Sequence, residues 1–178
     1  TKRVLPVIDF GIDFHTGGDN RFNYPQVRYT RKDAVAQTLA ESFGAPYLVE
    51  KSLLPHSFRK TAKDLQKTII VFEGGEALRL DGFVIETALK GLTRMLIKQG
   101  MIRGEVNAPS TLTFKKSTWI RAKQAGIFIW SKNSGHQVVK GETLGSIYDP
   151  NGTTRLAVIA SRSGHILGHN NTPVVHQG

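Results

Sequence analysis

Two short segments of this sequence carry polar side chains where a site for chemistry would be expected. Residues 13–18 (DFHTGG) and 72–76 (FEGGE) each combine the end of an apolar run with a His or Glu side chain and paired glycines. Ligands bind at the carboxyl ends of strands in α/β sheets, and glycine pairs let the backbone turn sharply or approach a ligand. The two segments therefore predict one site that includes His15 and Glu73.

The types of residue limit the chemistry of such a site. The sequence contains no cysteine, so thiol nucleophiles and cysteine-ligated metals are excluded, and any metal must be held by His, Asp or Glu. A purely structural interpretation also stands at this point. In it, His15 is a buried histidine with satisfied hydrogen bonds and Glu73 is a helix-capping carboxylate.

The first hundred residues alternate between strand and helix patterns. Apolar, β-branched runs predict strands, and apolar positions at helical spacing predict helices, with Gly44 ending the first helix. Residues 16–31 are rich in Gly, Asn, Asp and Arg and predict a long loop. The predicted strands are 4–14, 46–49 and 68–72, and the predicted helices are 32–43, 57–65 and 81–99.

The pattern changes after residue 103, where the helical periodicity stops. Short β-branched or aromatic runs separated by Gly, Asn and Pro predict a small all-β domain, with residues 108–110 as a linker. We therefore predict two domains, residues 1–104 and residues 105–178. The predicted strands of the second domain are 111–114, 118–120, 126–130, 143–148, 156–159 and 165–168.

Composition restricts the possible partners. The chain has 178 residues, is 39% hydrophobic and carries a formal net charge of +10. Its basic residues are dispersed and run in pairs at most, so we predict no nucleic-acid partner; the charge is either a solvated surface or a field that attracts acidic small molecules. No apolar run reaches the roughly 20 residues that span a bilayer. We predict no membrane partner and a cytoplasmic location.

Four motifs in order resemble the succinylglutamate desuccinylase and aspartoacylase family. Further similarity continues into the β-rich region, so the resemblance covers nearly the whole chain. The four motifs are residues 12–17 (IDFHTG), 23–28 (NYPQVR), 57–59 (SFR) and 72–79 (FEGGEALR). The later segments are residues 119–122 (WIRA), 139–145 (VKGETLG) and 148–150 (YDP).

This resemblance implies a fold and an activity. The fold would be the carboxyl-terminal part of a zinc-carboxypeptidase-like mixed α/β sheet with flanking helices, followed by a small barrel-sandwich-like β domain. The activity would be that of a deacylase, a hydrolase that cleaves the amide bond of an N-acyl amino acid or a similar carboxylated amide, using one zinc ion. The alternative is a catalytically inactive relative that acts as a binding or structural module.

The resemblance also assigns roles to residues. His15 matches a zinc ligand and Glu73 matches the general base. Asp13 is placed to orient the imidazole of His15, although an ordinary strand-end carboxylate would look the same. Arg59 is expected to bind a substrate carboxylate or to polarise a carbonyl. Arg28 and Arg79 lie in the motifs, but we assign them no chemistry.

The sequence departs from the family in one respect. The H-x-x-E motif, which supplies two zinc ligands in the family, is absent from these residues. We therefore expect a missing amino-terminal segment or a second polypeptide to supply the remaining ligands. A homo-oligomer, formed through the β domain, is left open as a further partner. A catalytic zinc needs three protein ligands, so we expect residues 1–178 alone to bind zinc poorly and to be inactive.

Overall fold

The computed structural model describes residues 2–107 and 109–178. Their contacts form two compact units. The first unit contains Thr1–Thr16, Pro25–Gly75 and Arg79–Ser117, and the second contains Gly17–Tyr24, Glu76–Leu78 and Thr118–Gly178. The domain boundary after residue 104 stays a prediction, and the linker predicted at 108–110 lies partly outside the described residues.

A six-stranded mixed sheet organises the first part of the fold. Its strand order is β1-β4-β2-β3-β5, and β11 pairs with β2. The β2–β3 and β3–β5 pairs are parallel, whereas β11 is antiparallel to β2. The strands are β1 (Phe10–Gly17), β2 (Arg21–Thr30), β3 (Tyr47–Lys51), β4 (Thr68–Glu76), β5 (Leu112–Phe114) and β11 (Gly168–Asn170).

Three α-helices and one 3₁₀ turn (Leu5–Val7) accompany this sheet, which confirms the predicted mixed α/β class. A side-chain oxygen caps the first turn of each helix, from Asp33, Ser57 and Asp81 respectively. The helices are α1 (Ala34–Phe43), α2 (Phe58–Asp64) and α3 (Gly82–Lys98). The helix predicted at 32–43 ends as expected, because Gly44 adopts a left-handed conformation.

Apolar side chains pack on both faces of the sheet in the first unit. On one face, α1 and α3 contribute to a large core with alternate residues of the strands. On the other face a smaller cluster forms around Leu5, Ala62 of α2 and Ile69 of β4. In β4 the successive residues Ile69 and Ile70 belong to different clusters and lie on opposite faces of the sheet, so membership of a cluster identifies the face on which a residue lies.

The loop predicted at residues 16–31 is wrong, because most of it forms β2. The prediction relied on polar composition and on Pro25, which lacks an N–H donor. In the structure, β11 pairs with residues 21–23 of β2 and β3 pairs with residues 26–30. Pro25 lies between these two pairing segments, so its missing N–H removes no hydrogen bond to either strand.

Other strand predictions also need correction, among them two short segments. Residues 111–114 were predicted within the all-β domain, but β5 pairs in parallel with β3 and extends the first sheet. Residues 118–120, predicted as a strand, have no regular structure. Both segments are only three or four residues long, and a short apolar run does not specify which strand it pairs with.

The second unit contains two further antiparallel sheets. One has the order β12-β6-β8-β9 and the other pairs β7 with β10. The barrel-sandwich-like arrangement of these strands stays a prediction. The strands are β6 (Gly126–Trp130), β7 (Gln137–Val138), β8 (Thr143–Tyr148), β9 (Arg155–Ile159), β10 (Gly164–His165) and β12 (Val174–Val175). Within the described part of the chain, no helix has both the length and the apolar character needed to cross a bilayer.

Asp33 joins the start of α1 to α2, the helix that carries Arg59. Its carboxylate accepts from the Ala36 N–H at 3.0 Å and from Lys63 Nζ at 2.6 Å. Burial by itself raises the pKa of Asp33, but the hydrogen bonds from Lys63 and Ala36 and the Lys63 charge lower it below its usual 3.8. The charged form is therefore favoured in the folded state.

We expect Asp33→Ala to lower the free energy of unfolding by about 1–2 kcal/mol near pH 7. Because the folded-state pKa is lowered, this contribution is complete above the unfolded pKa. It is lost as the pH falls through the folded value. Denaturation of the wild type and of Asp33→Ala between pH 3 and pH 7 should show that the difference between their free energies of unfolding becomes smaller in acid. The exposed Asp64→Ala should cost less than about 0.5 kcal/mol, and a pH-independent Asp33 effect would contradict the assignment.

Candidate active site

Asp13 and His15 lie on the sheet face opposite the large core. Phe10 and Ile12 of β1 pack against that core, so the alternate residues face the other way. Gly11 supports this assignment, because a Cβ atom there would lie 2.6 Å from Ile69 Cδ1 of the smaller cluster.

The Asp13 carboxylate contacts the imidazole of His15. Asp13 Oδ2 lies 2.9 Å from His15 Nε2, and about half of the His15 side chain is exposed. A neutral imidazole that donates through Nε2 keeps its lone pair on Nδ1, where a metal would bind. His15 is thus half-exposed and oriented, and the interpretation of it as a buried structural histidine does not fit.

Glu73 lies on the same face, on the neighbouring strand. Ile70 and Phe72 of β4 belong to the large core, so Glu73 points away from it, toward the side on which Ile69 lies. Since β1 and β4 are adjacent, the carboxylate of Glu73 and the imidazole of His15 share one face of the sheet. The side chain that caps α3 is that of Asp81, which accepts from the Val84 N–H. A capping role for Glu73 is therefore not needed to explain how this helix begins.

Glu73 is held by an arginine of the third strand in this group. Arg28 Nη1 lies 2.8 Å from Glu73 Oε1, and only 9% of the Glu73 side chain is exposed. Val27 and Tyr29 belong to the large core, so Arg28 emerges between them on the face of Glu73. A carboxylate buried to this extent needs a charged partner, and Arg28 is one.

Arg59 adds a second guanidinium to this side of the sheet. It follows Ser57, whose Oγ accepts from the Lys60 N–H at 3.2 Å to start α2. Burial lowers the pKa of Arg59, the charge of Arg28 lowers it further, and Glu73 opposes both effects. Arg28 Nε and Arg59 Nη1 are buried donors without a hydrogen-bond partner in the described part of the chain.

Lys51 makes the surroundings more positive. Burial lowers the pKa of Lys51, and the charges of Arg28, Arg31 and Arg59 lower it further. Arg31 is balanced by Glu50, whose Oε1 is 3.9 Å from Arg31 Nε. Arg28 and Arg59 thus act on the Glu73 carboxylate, the charges of both arginines act on Lys51, and the positive excess favours an anionic ligand.

The fold itself has relatives among solved structures. No family model and no curated protein matches the sequence. The chain is similar to the apo ectoine utilization protein EutE (DoeB) from Ruegeria pomeroyi, with 22% identity and a TM-score of 0.87. It is also similar to a succinylglutamate desuccinylase from Silicibacter sp. TM1040 (22%, TM-score 0.85) and to a succinylglutamate desuccinylase/aspartoacylase from Rhodobacter sphaeroides (22%, TM-score 0.86).

The chain has the fold of the succinylglutamate desuccinylase and aspartoacylase proteins. Each of the three alignments covers 99% of this chain, which confirms the resemblance inferred from the sequence motifs at the level of fold. The chain spans 60% of the Ruegeria protein and 57% of each of the other two.

Of the ligands that a catalytic zinc needs, the residues at this site include one candidate. A catalytic zinc takes three protein ligands. Within residues 2–107 and 109–178, no three His, Asp or Glu side chains are grouped so that they could hold a metal. The His15 imidazole has the chemistry of a single zinc ligand.

Arg28 is the site residue to which the sequence assigned no role. The signal that identifies it is a charged residue between two buried positions of β2, on the face that carries Glu73. That signal can be used only if β2 is recognised as a strand. The polar composition of residues 16–31 predicted a loop instead.

Proposed function

We propose that this chain is part of a zinc-dependent hydrolase that cleaves the amide bond of an N-acyl amino acid or a similar carboxylated amide. The supporting observation is that His15 and Glu73 share one sheet face at the ends of neighbouring strands. The similar structures named succinylglutamate desuccinylase and aspartoacylase support the same reaction class. Their names denote removal of an acyl group from an amino acid.

Each residue has a separate task in this proposal. Bound zinc, with His15 as one of its ligands, would provide a Lewis acid that lowers the pKa of water and polarises the amide carbonyl. Asp13 keeps the His15 ring in the orientation that presents Nδ1. Glu73 accepts a proton from the attacking water and then donates it to the departing amine nitrogen.

The positive charge around Glu73 favours a substrate that carries a negative charge. A guanidinium binds a carboxylate through two parallel hydrogen bonds. Arg59 is partly buried and one of its donors is unpartnered, so an ionised group of the substrate would compensate a charge that burial disfavours. We therefore propose that Arg59 binds the substrate carboxylate.

A substrate panel tests this function with the complete gene product. N-acetyl and N-succinyl amino acids are each compared with the matching α-carboxamide, which removes one negative charge and keeps the shape. We expect one zinc per chain, amide hydrolysis that chelation abolishes, and kcat/KM about 10²-fold lower for the carboxamides, because a charged hydrogen-bond partner contributes about 1.5–3 kcal/mol. Stoichiometric zinc without hydrolysis of any member would favour the inactive binding module.

A further inference from the structure

The ion pair between Arg28 and Glu73 joins two strands of the sheet. Arg28 lies on β2 and Glu73 on β4, which are neighbours, and Nη1 and Oε1 are 2.8 Å apart. About a third of the Arg28 side chain is exposed, against 9% for Glu73. The partner of the carboxylate is thus held by the sheet itself, and not by a loop that can move away.

Burial determines what this pair does for the carboxylate. An ionised carboxylate taken out of water is costly unless a charged donor compensates it. The Arg28 contact has the length of a charge-assisted hydrogen bond, which is stronger and more directional than a neutral one. Because the side chains on either side of Arg28 are packed into the core, the contact fixes where Oε1 of Glu73 lies.

Arg28 and Arg59 act on Glu73 in different ways. Arg28 contacts the carboxylate directly, whereas Arg59 influences it through charge. Arg59 lies on the short helix α2, and Arg28 lies in the middle of the mixed sheet. This separation predicts different kinetic effects, with Arg28 acting on the base and Arg59 on the bound substrate.

We propose that Arg28 is a positioning residue for Glu73, which it holds in the orientation needed for proton transfer. This inference rests on the proposed hydrolase function, in which Glu73 is the base. Proton transfer requires the base to stand within hydrogen-bond reach of the proton it accepts. An error of about 1 Å in such a position costs about 10²-fold in rate, so loss of Arg28 lowers kcat while substrate affinity is retained.

Kinetics of Arg28→Gln and Arg28→Lys in the complete, zinc-loaded gene product test the proposal. Arg28→Gln should lower kcat about 10²-fold and change KM by less than about threefold. Arg28→Lys should recover part of kcat, because an ammonium restores the charge without the planar geometry. Values of kcat within threefold of the wild type for both variants, or a change confined to KM, overturn the proposal.

Arg155 offers a matched control for the loss of an arginine from a strand. Its Nε donates to Ser146 Oγ at 2.9 Å within the second unit, and we assign it no role in the reaction. We expect Arg155→Gln to leave kcat and KM within about twofold of the wild type. A loss of kcat as large as that of Arg28→Gln would show that any removed strand arginine has this effect, and would overturn the proposal.

A measurement without substrate separates this inference from the proposed function. A double-mutant cycle compares the unfolding equilibria of Arg28→Gln, Glu73→Gln and the combined variant. We expect the effects to be non-additive by at least about tenfold in the unfolding constant. Additive effects overturn the inference even in an active enzyme. An inactive wild type with strong coupling would refute the hydrolase proposal, and with it the catalytic part of this role.

Discussion

Replacing Glu73 with Gln is expected to lower kcat for amide hydrolysis by about 10³-fold. Glutamine keeps the size of the side chain and can still accept a hydrogen bond from Arg28, but it cannot take a proton from water. General-base catalysis contributes about 10²–10⁴-fold. Zinc content and KM should remain close to those of the wild type, since Glu73 is assigned neither metal binding nor substrate binding.

The control for this prediction is Glu41→Gln on α1. Glu41 is an exposed glutamate that accepts from Gln37 Nε2 at 2.8 Å one turn earlier, so the same change there removes one charge without touching the site. We expect no more than a twofold change in kcat. A Glu73→Gln enzyme with kcat within threefold of the wild type would show that this carboxylate is not the base.

Phe43→Ala is expected to lower the free energy of unfolding by more than Asp33→Ala does. Phe43 is fully buried, and its ring centroid lies 5.4 Å from that of Phe72 and 6.5 Å from that of Phe14. Those two rings directly precede Glu73 and His15 along the chain. Removing the central ring leaves a cavity, and such a change costs about 3–5 kcal/mol.

Urea denaturation of the wild type and of Phe43→Ala measures this loss in the free energy of unfolding. Phe83→Ala is the matched control, because Phe83 lies on α3 with about half of its surface exposed, and we expect a cost below about 1 kcal/mol. Equal losses for the two variants would show that the aromatic cluster does not stabilise the strand ends. Because the cluster supports both His15 and Glu73 from beneath the sheet, kcat of the folded Phe43→Ala enzyme should also fall.

Local patterns were sufficient to predict the helices. Helical spacing of apolar residues, capping side chains such as Ser57 and Asp81, and the left-handed Gly44 are all properties of neighbouring residues. The positions of His15 near the end of β1 and of Glu73 near the end of β4 could also be anticipated, because glycines and polar side chains mark them in the sequence.

Non-local pairing could not be predicted from the sequence. Strand β5 joins the first sheet through Tyr47 to Val49 of β3, more than sixty residues earlier. Strand β2 looked like a loop because Pro25 and its polar neighbours hide a pairing register that depends on two separate partner strands. The contact between Arg28 and Glu73 required both that register and the side-chain alternation of two strands.

The charge around Glu73 depends both on the composition of the chain and on its fold. The net charge of +10 left open whether it coats the surface or attracts an acidic molecule. The fold brings Arg28 and Arg59 near the Glu73 carboxylate and Lys51 near these two arginines, and burial lowers the pKa of Lys51 and of Arg59. A positive potential at this place would favour the approach of anionic substrates, which agrees with the proposed substrate class.

The central claim is that His15 and Glu73 serve one zinc-dependent reaction. Crystals of the complete gene product, measured at the zinc absorption edge, test it most directly. The account predicts one zinc peak about 2.0–2.1 Å from His15 Nδ1, on the sheet face that carries the Glu73 carboxylate. A zinc peak bound by other residues and away from His15, in an enzyme that still hydrolyses N-acyl amino acids, would contradict it.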